Sequence, residues 1–364
     1  GHPTMDLSEM DPARIEAFQA QDRYLQERCP ETLVLTYAMH WPGRQRETAR
    51  GLRRTPFYHA LKAKGAVYTE MQGWERPSWF APEGVAPVHD YAFNRPSWFD
   101  YAQTEQKSAR EGVVMIDYSM LGKHMIEGKD AETFLQRVCT NDASIADGRV
   151  IYSLMLNDRG GIEGDVTIAR HDKTRFMIMS AISHTRRNRE HLQHAILANE
   201  EVIIRDVTST YAVLALSGPL SRAVLETLVD ISLSDKDFPP YSLQQFYIGH
   251  APAFAQRLSF TGEMGWEIFI TPDFAEYVFE QLYQAGQAYD LRLAGGEALN
   301  ALRIEKGFVH WGSDMAYTES PHQIGLDFAC RIDKDIAFTG RAAYLARKAE
   351  AKGPYLCSIK LQQP

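Results

Sequence analysis

The chain has 364 residues, of which 45% are hydrophobic and 24% charged, and it carries a formal net charge of -8. That length leaves room for two or three domains with sizeable cores, at roughly 100–200 residues each. The acidic balance argues against nucleic acid as a main partner, because phosphate binding needs a concentrated positive surface. Cys29, Cys139, Cys330 and Cys357 are scattered without C-x-x-C spacing, and no histidine cluster stands at zinc-ligand spacing. We read them as reduced thiols with no metal site. No apolar run approaches a membrane span, and the opening GHPTMDLSEMDPAR is polar and acidic, unlike a secretion signal.

Residues 1 to about 80 do not read as a complete domain. A helix is expected to start near Asp11 and Pro12, where Asp can cap and Pro suits the first turn, and to run on to about residue 28. The following stretch is rich in Arg, Gly, Pro and aromatics with little alternation, so it is expected to wrap another domain rather than form its own core. Its basic run, residues 44–54, reads as a solvated loop or a surface that once met another domain. Residues 80–97 carry three prolines and read as an extended linker, anchored by the large rings of Trp74, Trp79 and Trp98.

From residue 98 to about 204 helix and strand signals alternate. A short helix is predicted over 130–138, with Ala131, Phe134, Leu135 and Val138 on one face. It is followed by Thr140-Asn141-Asp142 and then by a strand. A carboxylate at a helix-to-strand junction can be held on target by the packed elements around it, which makes Asp142 the first candidate for chemistry. The same Asn-Asp pair is also an ordinary way to end a helix. A second helix is expected over 185–197. His184, His191 and His194 lie in or beside it, but no acidic or cysteine ligand accompanies them, so they read as surface histidines.

A second unit is expected from about residue 206. It begins with a strand, an SGP turn and a helix, and continues into a hairpin in QRLSFTGEMGWEIFI. Glu263 falls on the hairpin loop. Glu267 falls inside the returning strand, between Trp266 and Ile268, so alternation puts it on the face opposite those two neighbours. If that face is enclosed, the carboxylate needs a partner, and a ligand with N–H donors or a nearby Arg would serve equally. Helices are predicted over 272–289 and 297–306, the second with Arg303, Glu305 and Lys306 as internal ion pairs. PHQIGLDFACRIDKDIAFTGRAAYLARKAEAKGP reads as a loop, a strand and a basic helix, and a first strand in CSIKL completes the chain. No G-x-G-x-x-G, P-loop or G-x-S-x-G is present.

Five motifs, TND, GGIEGD, SGP, FTGEMGWE and LNALRIEKGF, stand in this order between residues 140 and 308. In these the chain resembles the folate-binding T-protein (aminomethyltransferase) family, and more closely the C-terminal half of dimethylglycine and sarcosine dehydrogenases. GWERPSWF is similar to the tail of the flavin domain in those dehydrogenases. The resemblance implies an α+β fold, a clover-leaf of mixed α/β subdomains around a central tetrahydrofolate pocket. It divides the chain into a flavin-domain tail plus linker (1–97), two folate-binding subdomains (98–205 and 206–352) and the start of a truncated C-terminal barrel (353–364).

By that resemblance Asp142 lies beside the folate nitrogens that receive the one-carbon unit, and Glu267 grips the pterin N–H groups. Asn141, Tyr152, Trp266 and Arg303 are implied as further cofactor contacts, with no metal. The implied reaction captures the methylene of an oxidised N-methyl amine as 5,10-methylenetetrahydrofolate. FAD would sit only in a flavin domain or subunit outside this chain, and the setting would be bacterial cytoplasm or mitochondrial matrix. The chain departs from the T-protein pattern at Leu299, where an arginine would hold the glutamate tail, and at Met120, where a histidine is usual. The alternatives are a folate-dependent demethylase of a sulfonium or methoxy donor, and a folate-binding module without turnover.

Overall fold

The computed structural model describes residues 15–350 and 352–360. The predicted start of the first helix at Asp11 lies outside the described residues. Beyond it the chain does not form one continuous helix. A single turn, Ala17–Ala20, gives way at Gln21 to extended backbone, and α1 then runs over Asp22–Tyr37 with the Gln21 side chain accepting from the Arg23 amide.

The next stretch is more regular than its composition suggests. Helix α2 (Tyr58–Ala63) leads into β1 (Ala66–Met71) and β2 (Trp74–Phe80), an antiparallel hairpin. Gln72 and Gly73 turn it, both at positive φ (52° and 78°), the two-residue geometry that matches strand twist. Phe57, Leu61 and Ala66 are buried in the main core, so the segment does pack on its neighbours as expected. Residues 81–98 hold neither helix nor strand, and Trp74 and Trp79 are buried.

Helix α3 (Phe99–Glu111) leads to β3 (Val114–Asp117), β4 (Gly122–Glu127), α4 (Ala131–Val138), β5 (Val150–Leu156), β6 (Ile162–Asp172), β7 (Arg175–Ser180), α5 (Thr185–His194) and β8 (Ile203–Asp206). Then come β9 (Ala212–Ser217), α6 (Ser221–Glu226), β10 (Leu243–Ile248), β11 (Ala251–Gln256), β12 (Gly265–Ile270), α7 (Ala275–Gln287), β13 (Arg292–Leu293), α8 (Gly296–Glu305) and α9 (Arg341–Glu350). The strand expected between the PHQ loop and the basic helix is absent among the described residues; two short turns, Pro321–Gln323 and Asp327–Ala329, stand there, with Gly325 at φ 75° between them. Residues 352–360 form neither helix nor strand, so the CSIKL strand is not seen among the described residues.

Two sheets face each other. One has the order β10-β11-β12-β9-β3-β13 and the other β5-β6-β7-β4-β8. Side-chain parity separates three cores. Met115, Leu214, Leu216, Trp266 and Ile268 pack outward against Val224, Phe279 and Leu282 of α6 and α7. Ile126, Val166, Ile168, Phe176 and Ile178 pack outward against Phe134, Leu135 and Leu192 of α4 and α5. The alternate positions, Ile116, Ala215 and Phe269 from one sheet and Ala169, Met177 and Met179 from the other, share the inner core between the sheets. Because β3 pairs with β9, the two sheets do not divide at residue 205 as the expected subdomain boundary has it.

Glu105 braces this arrangement. Its buried carboxylate accepts the Phe80 amide of β2 (2.8 Å) and the Gly295 amide ahead of α8 (2.8 Å), tying the hairpin to the head of that helix. Glu105→Ala leaves two enclosed N–H groups without acceptors, and we expect it to lower unfolding free energy by about 2–3 kcal/mol, read as the urea midpoint. A midpoint equal to the parent's removes Glu105 as a brace.

Candidate functional site

Between the sheets lies a cavity of about 1230 Å³, into which the β1-β2 hairpin and the head of α8 also project. Parity decides which acids reach it. On β12, Trp266 and Ile268 belong to the outer core, so Glu267 turns inward with Phe269. On β6, Val166 and Ile168 belong to the other outer core, so Asp165 turns inward with Thr167 and Ala169. Glu267 and Asp165 both line the cavity, one from each sheet.

Glu267 is 4% exposed, and its carboxylate has no hydrogen-bond or ion-pair partner among the described residues. No arginine among the described residues reaches it, so of the two kinds of partner open from the sequence, these residues do not supply the arginine. Glu263, on the adjoining loop, is different: it pairs with Arg110 (2.7 Å) and Lys306 (3.4 Å). Burial pushes Glu267 up to about 8, against the opposing pull of the Lys123 ammonium. Lys123, itself wholly buried, donates to the carbonyls of Ser119 (2.8 Å) and Leu121 (2.9 Å) and is brought down to about 7 by desolvation. Tyr118, whose hydroxyl is buried without a partner, also lines the cavity and lies in the field of Glu267.

Asp165 keeps some accessible surface where it meets the cavity and is otherwise enclosed. Desolvation raises it to about 6, while the Tyr152 hydroxyl donates to its carboxylate at 3.3 Å and partly offsets the shift. The Tyr152 ring is stacked on Phe328, with centroids 6.2 Å apart, so the hydroxyl is held in place from behind.

The remaining sequence candidates separate. Asp142 does not line the cavity: its carboxylate accepts from the Gln136 side chain and from the Ser144 amide (2.9 Å), the self-contained turn that ends α4. Asn141 is likewise structural, its amide donating to the Tyr152 carbonyl at 2.7 Å and its oxygen accepting the Asp142 amide at 2.8 Å. Trp266 points away into the outer core, where it lies 5.4 Å beneath the Arg257 guanidinium. Arg303 lines the cavity, but its donors are taken by Asn300 (2.9 Å), the Phe308 carbonyl (3.0 Å) and Asp314. It fixes the loop after α8 and does not form the internal helix pair expected; Glu305 instead reaches Arg110 at 3.0 Å and Lys306 reaches Glu263.

Of the histidines, His194 is exposed, whereas His184 is part-buried edge-on to Trp311 at 4.2 Å. Burial drives it down to about 4. Among the described residues no group of His, Cys, Asp and Glu could hold a metal ion. No described helix is long and apolar enough to cross a membrane.

Sequence reasoning pointed to TND and passed over Asp165 as a cavity-lining acid, although it lies in the quoted GGIEGD motif. The available signal was its parity between Gly164 and Val166 in a strand whose apolar residues alternate.

A model of the GCVT N-terminal domain matches residues 57–334. The chain belongs to the GCVT aminomethyltransferase family. A model of the FAD-dependent oxidoreductase central domain matches residues 1–55. The chain is 36% identical over its full length to a formaldehyde-forming 4-methylaminobutanoate oxidase of Paenarthrobacter nicotinovorans, of which it spans 44%. It is 32% identical over 96% of its length to a mitochondrial pyruvate dehydrogenase phosphatase regulatory subunit of Mus musculus, of which it spans 40%. A third relative, the dimethylglycine dehydrogenase of Rattus norvegicus, is 30% identical over 97% of this chain and 41% of that protein. The fold matches the crystal structure of glycine cleavage system aminomethyltransferase T from Bartonella henselae with a TM-score of 0.68, at 24% identity over 82% of this chain and 76% of that one. This GCVT chain is thus an aminomethyltransferase-type domain with the mixed α/β frame of the T-protein, related to the sarcosine and dimethylglycine dehydrogenases.

Burial of Glu267 also makes stability depend on pH. A folded-state value of about 8, above the ordinary 4.5, means the contribution is fully present below pH 4.5 and is lost as pH rises through about 8. Glu267→Gln is therefore expected to gain on the parent protein by on the order of a few kcal/mol between pH 5 and pH 8.5, in urea unfolding at the two pH values. A pH-independent difference contradicts the unpaired burial.

Proposed function

We propose that the cavity binds tetrahydrofolate and catalyses capture of a one-carbon unit at the oxidation level of formaldehyde, released from an oxidised N-methyl amine, as 5,10-methylenetetrahydrofolate. The observation that carries this reading is Glu267, a buried carboxylate facing a large cavity without a partner. Such a group calls for a ligand with adjacent N–H donors, and the amide and amine edge of a pterin presents two, suited to a bidentate, charge-assisted pair. Tyr118 adds an unpaired hydroxyl beside it.

Tetrahydrofolate, when bound, supplies two nucleophilic nitrogens that can share one methylene carbon. Asp165, held near 6 by its surroundings, is mostly ionised at neutral pH. It is suited to accept the proton shed as those nitrogens bond to carbon and to steady the positive charge that precedes it. Tyr152, donating to Asp165, keeps that carboxylate aimed at the cavity.

The formaldehyde-forming oxidase and the dimethylglycine dehydrogenase among the relatives support an N-methyl amine as the source. A flavin oxidoreductase domain or subunit as the partner that oxidises it is supported by the match over residues 1–55. A module without turnover is favoured by one observation, the likeness to a regulatory subunit. Two inward carboxylates held at different protonation levels speak for catalysis.

Asp165→Asn is expected to slow formation of 5,10-methylenetetrahydrofolate by roughly 100-fold or more while leaving tetrahydrofolate affinity within about tenfold. Asp142→Asn, at a residue that does not line the cavity, is expected to leave the rate within about threefold. The reverse ranking, measured with formaldehyde as the one-carbon source, would return the chemistry to Asp142. Binding should also release protons. Glu267 is mostly protonated at pH 7 when free and ionised when paired with donors, so release approaching one proton per site is expected, falling away above pH 8 and absent in Glu267→Gln. Calorimetry in buffers of different ionisation enthalpy reads this directly.

A further inference from the structure

Among the described residues the Arg76 guanidinium is a cation of the cavity that meets no acceptor. It lies on β2, in a strand whose other residues are largely buried, and is itself part-buried. Its Nε is shut off from solvent without an acceptor, and its side chain makes no hydrogen bond or ion pair among the described residues. A cation held part-way out of bulk water with its donors unpaired is costly unless something else fills the space.

The guanidinium also sits where a cation is least welcome. A methyl group placed on Gly296 would lie 3.2 Å from its Cζ and from one terminal nitrogen. Gly296 is the first residue of α8, a ten-residue helix whose N-cap, Gly295, offers no side chain to the first turn. The amides of Gly296, Glu297 and Ala298 meet no acceptor among the described residues, and the positive end of the helix dipole points the same way. The first turn lines the cavity through Gly296, Glu297, Leu299 and Asn300.

The acid nearest to hand does not neutralise the corner. Glu297 feels the Arg76 charge but lies beyond ion-pair reach, and its carboxylate accepts from the Ser78 hydroxyl at 3.0 Å. His310, also facing the cavity, is held neutral by burial with the charges of Arg303 and Arg76 beside it. Glu105, accepting the Phe80 and Gly295 amides, keeps strand and helix at this separation, so the arrangement is built and not incidental.

We infer that Arg76 and the N-terminus of α8 form a carboxylate-binding corner at the edge of the cavity, occupied by the anionic end of the bound ligand. A planar guanidinium can grip a carboxylate through two parallel N–H donors while helix amides cap its second face. Leu299, one turn further along, offers no charge for this purpose, so the corner is where an acidic tail can be met. The inference rests on the folate reading for one of its two sources, the glutamyl end of tetrahydrofolate. The other source of the same chemistry is the carboxylate of an N-methyl amino acid.

The test compares Arg76→Gln and Arg76→Lys with the parent chain by calorimetry. The probes are tetrahydrofolate, 6-methyltetrahydropterin, which carries the pterin ring and no carboxylate, and 4-methylaminobutanoate alone. If the corner holds the glutamyl end, Arg76→Gln weakens tetrahydrofolate at least tenfold and leaves 6-methyltetrahydropterin within twofold, with Arg76→Lys between because it keeps charge but loses the fork. If it holds the amino acid, only 4-methylaminobutanoate is weakened. Filling the corner with Gly296→Ala should reproduce whichever loss is seen. Unchanged binding of all three probes, or equal loss for tetrahydrofolate and 6-methyltetrahydropterin, overturns the assignment. 6-Methyltetrahydropterin binding that survives in Arg76→Gln but fails in Glu267→Gln keeps the folate reading independent of this one.

Discussion

The burial of Glu267 without a partner is the constraint around which the rest is arranged. An ionised carboxylate taken out of water with nothing to accept from costs several kcal/mol, and a protein avoids this by pairing the group or by protonating it. Here the strand that carries it lies between β11 and β9, so its backbone is paired on both sides and the side chain cannot be turned to solvent by local fraying. Its neighbours Trp266 and Ile268 are locked into the core with α6 and α7. The fold therefore holds a group in an unfavourable place firmly enough that only a proton or a ligand can relieve it, which is the usual mark of a site built for binding.

Two acids in one cavity are given different characters by their surroundings. Asp165 receives a hydrogen bond from Tyr152 and stays near 6, while Glu267 receives none and rises to about 8. Around neutral pH the first is mainly a base and the second mainly an acid, before any ligand enters. Environment alone separates them, since both are carboxyl groups on central strands. Lys123 tempers the upper value without forming a pair, because its ammonium is spent on the carbonyls of Ser119 and Leu121.

The cavity wall is held by ties between segments remote in sequence. Arg110 joins α3 to the Glu263 loop and to the end of α8 through Glu305. Arg303 secures the loop after α8 through Asp314, and Glu105 fixes the β1-β2 hairpin against the helix head. Several of these bonds are partly or fully shielded from solvent, where removal of one member leaves the other unsatisfied. Their common effect is rigidity of the wall that a ligand would touch, while the charges left over, Glu267, Asp165 and Arg76, face inward.

The sequence by itself determined the α+β class, most helices and strands, and the inward face of Glu267, because these depend on local periodicity and on motifs whose residues are neighbours in the chain. The helix over 130–138 and the GWEIFI strand were legible in that way. It pointed to Asp142 and offered no reading of Asp165. Both lie near the ends of apolar segments, and only the packing shows that Asp142 closes its own turn while Asp165 faces the opposite sheet across a gap. The Gln72-Gly73 hairpin was hidden by a composition that looked irregular, and Arg76 was hidden with it. Which strand stands opposite which, and therefore which side chains share a cavity, is fixed by contacts between residues more than a hundred positions apart, as between Glu105 and Gly295. That information exists only once the chain has closed on itself.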